Sequence, residues 1–285
     1  MKKLLTAGFL ASLLTPLTSA LMVGPAFAAP TAPTAQVFDA VNKPEALDPQ
    51  WRARLCALLP QPCDVQQVGL YRARGATPGD YVVLSAEPLA MARVKRSTDA
   101  KGWQLATLND FSAYAESLKK EGKEGKEGAE ASGPRDMRLS LAPALYPTAE
   151  GKWAVAVLQT VSEMYSGGGA SFDTADFVPL EGEGEGEGKA RSAVQRGIPF
   201  SCFKMIRACF SEKDYKTSKH CHDESNGSLR IAYGAAARPG APYDWQYTWL
   251  QSEWPQGEPQ RATTTSRIRF TAKTTERADF CGGPQ

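Results

Sequence analysis

The chain has 285 residues, of which 33 are Lys or Arg, 31 Asp or Glu, two His and six Cys, and 42% are hydrophobic, enough for a sizeable core. Without Lys2 and Lys3 the balance is 31 basic against 31 acidic residues, which lacks the concentrated basic excess of a nucleic-acid binder. Beyond the N-terminus no apolar run approaches the roughly 18 residues that span a bilayer.

Residues 1–28 read as a secretory signal peptide. Lys2 and Lys3 give a positive start, an apolar run follows, and Ala26-Phe27-Ala28 forms a small-x-small cleavage sequence. Pro16 and that cleavage sequence argue against an uncleaved anchor. No cysteine lies near the cleavage point, so a lipoprotein anchor has no attachment residue. The expectation is a periplasmic or secreted protein with no membrane span after signal cleavage.

Residues 29–180 read as an N-terminal α+β domain. In "DPQWRARLCALL", residues 48–59, Asp48 is placed to cap a short helix with Trp51, Leu55, Leu58 and Leu59 on one face. Cys56 and Cys63 follow closely, with Pro60 and Pro62 between them able to fold the chain back for a local bridge. "YVVLSA", "LAMARVKR" and "GWQLATL" read as strands. "NDFSAYAESLKK" reads as a second helix, capped by Asn109 or Asp110. Residues 119–134, rich in Lys, Glu and Gly, read as a low-complexity insertion. "MRLSLAPALYP", "KWAVAVLQTV" and "ASFDTADFVPL" then form a three-strand meander. Ser166 and Ser171 lie beside glycines there, a pattern that suits a hairpin turn.

Residues 181–195 read as a Glu/Gly-rich linker. Their likeness to a phosphate-binding loop fails, because Ala190 stands where Ser or Thr is needed and the acidic charge repels phosphate.

Residues 196–285 read as a Cys-rich C-terminal α+β domain, with 13 basic and nine acidic residues. "SCFKMIRACFSE" fits a helical period, with Ser201 as its cap. In a helix Cys202 and Cys209 would lie about 10.5 Å apart, and in a strand more than about 20 Å, so they do not pair with each other. Cys202, Cys209, Cys221 and Cys281 then share two bridges, in either of two remaining arrangements. Three alternating segments follow, around Leu229, Ile231 and Tyr233, around Trp245, Tyr247 and Trp249, and around Ile268 and Phe270. They predict an antiparallel meander with its apolar face against that helix and its arginine face outward. The whole is expected to be α+β, mostly antiparallel sheets with a few short helices, in two disulfide-containing units.

Two groups carry candidate chemistry. In "KHCHDESNG" an extended backbone points His220 and His222 the same way, with Cys221 opposite. With Asp223 or Glu224 they could hold Zn or Cu. The competing reading is a polar loop pinned by a disulfide through Cys221. The second group is Arg230, Arg267 and Arg269 on the outward sheet face, with Trp245 and Trp249 nearby. As core, the aromatics fill the sheet's inner face, which alternation favours. As an exposed row they would stack on sugar rings or grip a protein.

No G-x-S-x-G elbow is present, and any histidine catalysis must use the same two histidines. The function expected is a non-enzymatic binding or accessory protein of the cell envelope, of inhibitor, immunity or assembly-helper type. Its partner would be an envelope protein or a glycan. The alternatives are a metal-binding protein using the "HCHDE" cluster, or a hydrolase of envelope polymers.

Overall fold

The structure is a computed structural model that describes residues 33–96, 102–124, 137–180, 191–272 and 280–282. The leader expected at 1–28, most of the insertion at 119–134 and positions 181–190 of the Glu/Gly-rich segment lie outside them.

Alternating and near-continuous apolar runs form twelve strands among the described residues. They are β1 (Gln36–Ala40), β2 (Val68–Ala73), β3 (Asp80–Ala86), β4 (Leu89–Arg96), β5 (Trp103–Asp110), β6 (Arg138–Ala149), β7 (Lys152–Tyr165), β8 (Gly168–Pro179), β9 (Gln195–Arg207), β10 (His222–Tyr233), β11 (Trp245–Trp254) and β12 (Thr264–Phe270). All belong to one sheet, in the order β12-β11-β10-β9-β8-β7-β6-β1-β2-β3-β4-β5. Every neighbouring pair is antiparallel. Helices are few and short: α1 (Trp51–Cys56), α2 (Ser112–Glu124) and α3 (Glu212–Thr217).

This corrects the α+β, two-unit expectation. The fold is mostly one large antiparallel sheet. β8 and β9, on either side of the Glu/Gly-rich segment, are paired neighbours in one ladder from Phe177↔Gln195 to Gly168↔Ile206.

The helix expected over "SCFKMIRACFSE" is also corrected. Most of that stretch is β9, paired with β8 on one side and β10 on the other. Two strand edges need backbone partners, and this demand outweighs a helical side-chain period. The helical face would have buried Phe203, Ile206 and Phe210, all of which are exposed instead. The helix that does form, α3, starts ten residues later and is capped by Ser211, not Ser201.

The first helices pack close to their expected places. Asp48 Oδ1 accepts the Gln50 amide just before α1, and Asp110 Oδ1 accepts the Ser112 amide at the start of α2. Trp51, Leu55 and Leu59 bury against Val83, Ala90, Ala92 and Val94. The other side of β3 and β4 buries Val82, Leu84, Leu89 and Met91 with Phe111, Tyr114 and Leu118 around α2, and with Leu145, Val155 and Val157 of β6 and β7. Burial on both faces explains why β3 and β4 read as nearly unbroken apolar runs.

Further along, Tyr146, Phe177, Trp245 and Tyr247 fill the inner face of the C-terminal strands. Trp245 Nε1 donates to the Pro147 carbonyl at 3.0 Å, and the Tyr243 amide donates to the Thr148 carbonyl at 2.8 Å. These bonds draw the start of β11 onto the end of β6. The meander of β10, β11 and β12 therefore packs on another part of its own sheet, not on a helix.

Three disulfides close the cysteine inventory: Cys56–Cys63, Cys202–Cys281 and Cys209–Cys221. The second sits in a small core with Phe172, Trp249 and Phe280. Gly227, on β10, makes room for it. A Cβ there would lie 2.1 Å from the Trp249 ring and 2.5 Å from Cys202 Sγ. Gly227→Ala is therefore expected to cost about 2–3 kcal/mol by overpacking. An unchanged melting temperature would show that Trp249 can move aside.

Burial pushes the hydroxyls of Tyr114, Tyr146, Tyr233 and Tyr247 well above the usual tyrosine range, and for Tyr114 the bond to Asp176 adds to it. The folded chain then keeps protons that the unfolded chain loses near pH ~10. This contribution to stability is complete below about pH 10 and is lost as pH rises beyond it. Urea midpoints should fall over that range. The fall should be smaller in Tyr247→Phe, which removes a buried hydroxyl that has no partner.

Candidate functional site

The chain leaves β9 at Arg207, turns through α3 and re-enters the sheet at His222. Ser211 and Asp214 form a reciprocal capping box at the start of α3. The Ser211 hydroxyl, helped by the Phe210 and Ser211 amides, holds the Asp214 carboxyl below its usual range. The Cys209–Cys221 bridge and the Ala208 amide bond to the Cys221 carbonyl, 2.9 Å, close this excursion. The Gly257 amide fixes the His220 carbonyl at 2.8 Å.

Alternation then separates the side chains of "HCHDE". Cys221 goes to its disulfide, and Asp223 is exposed and accepts the Gln256 amide at 2.8 Å. His220, His222 and Glu224 converge instead. One potential ligand atom from each lies within 4.8 Å of the others. His220 is only 9% exposed, and its Nε2 is buried with no hydrogen-bond partner. The Glu224 Oε1 stands 3.8 Å away, beyond hydrogen-bond range. The His220 ring lies flat on Trp254, with centroids 3.6 Å apart and planes 3° from parallel. Trp254 is held in turn by a 3.0 Å bond from its Nε1 to the Glu258 carbonyl.

The arginines occupy the same outer face, farther along the strands. Arg230, Thr248 and Arg269 are direct cross-strand partners, and Ser228, Leu250 and Arg267 form the adjacent row. All three arginines are exposed, and none is in an ion pair among the described residues. Trp245 and Trp249 lie on the opposite face, 7% and 0% exposed, in the core. The structure thus brings the arginines together with Thr248 and Leu250, and separates them from the tryptophans.

Ser166 lies in the turn of the β7–β8 hairpin, and Ser171 bonds Ser162 at 3.3 Å. A cavity of about 700 Å³ beside Trp153, Leu180, Tyr243 and Trp245 is lined by no histidine, cysteine or carboxylate among the described residues. No helix among the described residues is long and apolar enough to cross a membrane.

Trp254 is the site residue that sequence reasoning does not reach. It lies 34 positions from His220 and meets it through the register of β10 and β11, where Trp254 opposes Glu224. Comparison with protein-family models, with curated proteins and with solved structures gave no match.

Proposed function

We propose that the protein is a non-enzymatic binding or accessory protein of the cell envelope that holds an acidic partner protein against the outer face of β10, β11 and β12. The observation that carries this reading is the arginine array, with Arg230 and Arg269 on either side of Thr248 and Arg267 two residues along β12. Three cations share one exposed face. The part of that face formed by Ser228, Arg230, Gln246, Thr248, Leu250, Arg267 and Arg269 carries no carboxylate. Such a patch attracts an acidic surface and orients it, because guanidinium groups meet carboxylates in a planar, two-pronged geometry.

The edge adds to this. The outer side of β12 has no strand partner among the described residues, and its residues from Thr264 to Arg269 are exposed. An extended acidic segment could add there by backbone pairing and lay its carboxylates over Arg267 and Arg269. The signal-peptide pattern and three disulfides support an extracytoplasmic setting, periplasmic or secreted. An inhibitor, an immunity factor and an assembly helper would all use a surface of this kind.

The test is capture from an extract of the producing cell's envelope, comparing the wild type with a variant carrying Arg230→Ala, Arg267→Ala and Arg269→Ala. A specific acidic protein should be retained by the wild type, and at least about tenfold less by the variant, with wild-type retention falling and the difference narrowing as salt rises. The melting temperature should not change. Equal capture by both proteins would exclude the arginine face. A fallen melting temperature would make the arginines structural. Arginine-dependent retention on an anionic glycan, with no protein captured, would put a glycan on this face instead.

A further inference from the structure

We propose that His220, His222 and Glu224 form a binding site for a divalent transition-metal ion, with Zn²⁺ the ion that the donor set suits best. The inference stands apart from the arginine face. His222 and Arg230 lie eight residues apart on one strand, about 27 Å at strand rise.

Four observations carry it. The first is convergence: three metal-ligating side chains, on an extended stretch at alternate positions, bring their donor atoms within 4.8 Å. A tetrahedral zinc site with bonds of about 2.0–2.2 Å needs donor atoms roughly 3.3–3.6 Å apart. The His220 Nε2 and Glu224 Oε1 are already 3.8 Å apart. His222 and Glu224 are only half-buried, so their side chains have room to close the remaining gap.

The second is the orphaned nitrogen. Buried polar atoms are nearly always paired, and His220 Nε2 is not. It stands 3.8 Å from the Glu224 carboxylate, and the ring centroids of His220 and His222 are 6.0 Å apart. An ion between them would satisfy all three at once. A protonated His220 paired with Glu224 would satisfy only two, and would leave the convergence of His222 unexplained.

The third is rigidity. Trp254 holds the His220 ring flat, and the Glu258 carbonyl holds Trp254. A ligand fixed before the ion arrives loses little freedom on binding, which favours affinity.

The fourth is the donor chemistry. Cys221, between the two histidines, is bridged to Cys209 and offers no thiolate. Two imidazoles and a carboxylate remain. That set suits Zn²⁺ or Cu²⁺ over softer ions, and three protein ligands leave a fourth position to water. The nearest cation by strand pairing is Arg207, opposite His222. Its guanidinium lies over the Phe210 and Tyr215 rings and donates to the Cys209 carbonyl at 2.8 Å, so it is engaged away from the group.

The experiment uses the full exported chain, disulfides intact, purified without a histidine tag and freed of metal by chelator. Zn²⁺ titration by calorimetry should give about one equivalent bound, with affinity weakened at least about tenfold in His222→Ala and in Glu224→Gln. Both positions are half-buried, and Glu224→Gln keeps the side chain's shape. Their metal-free melting temperatures should match the wild type. A readout that needs no variant comes from the histidines themselves, which number two in the whole chain. Both sets of ring C–H NMR signals should shift in proportion to bound Zn²⁺. A Cu²⁺ titration run alongside, also by calorimetry, decides which ion is held more tightly. Absence of saturable binding by either ion would overturn the proposal. So would equal binding by the variants, or histidine signals that stay in place while metal binds elsewhere.

Discussion

The ladder between β8 and β9 is the pairing on which the rest of the C-terminal half depends. β9, from Gln195 to Arg207, pairs with β8 along one side, and its residues from Ser201 to Arg207 pair with β10 on the other. Without β9, two long strands would present unpaired backbone groups, and β10, β11 and β12 would have no sheet to extend. Backbone pairing is an obligation that side-chain pattern cannot waive. It is met here although Phe203 and Ile206 remain exposed.

Once these strands are in the sheet, the two-residue period sorts everything on them. One set of positions carries Leu229, Ile231, Tyr247, Trp249 and Phe270 into the core, and the other carries Arg230, Thr248, Arg267 and Arg269 to solvent. The same alternation at the start of β10 sends Cys221 to its disulfide and Asp223 to the Gln256 amide, while His220, His222 and Glu224 meet. Two chemically distinct surfaces thus arise from one strand. A disulfide-pinned loop and a metal-ligand cluster are also not exclusive readings of "HCHDE". The bridge at Cys221 closes the loop that carries its flanking histidines, and strand pairing sets His222 and Glu224 in register.

Much of this was legible from local pattern. α1, β3, β4, β11 and the part of β10 from Leu229 onward follow from apolar periodicity, because each buries a face whose spacing is written in a few consecutive residues. From His222 to Ser228 no apolar residue marks a strand, yet the stretch pairs with β9. The local bridge between Cys56 and Cys63 follows from two prolines that turn the chain. "SCFKMIRACFSE" misleads for an equally physical reason. Its apolar residues satisfy a helical period, and nothing within twelve residues records that β8 and β10 lie on either side of it. Nor does composition tell that strands before and after a Glu/Gly-rich segment are neighbours.

The sequence by itself determined the near balance of basic and acidic residues, the alternation of the C-terminal strands and the inventory of metal-ligating side chains. These are properties of single residues or of short spacings. Tertiary structure alone decided that the strands form one sheet, that Cys202 reaches Cys281 and Cys209 reaches Cys221, and that Trp245 and Trp249 face inward. It also chose Glu224 over Asp223 beside the histidines and set Trp254 against His220. Each of these depends on register between strands distant in the chain. Register is settled by the summed burial and pairing of the whole sheet, which no local stretch encodes.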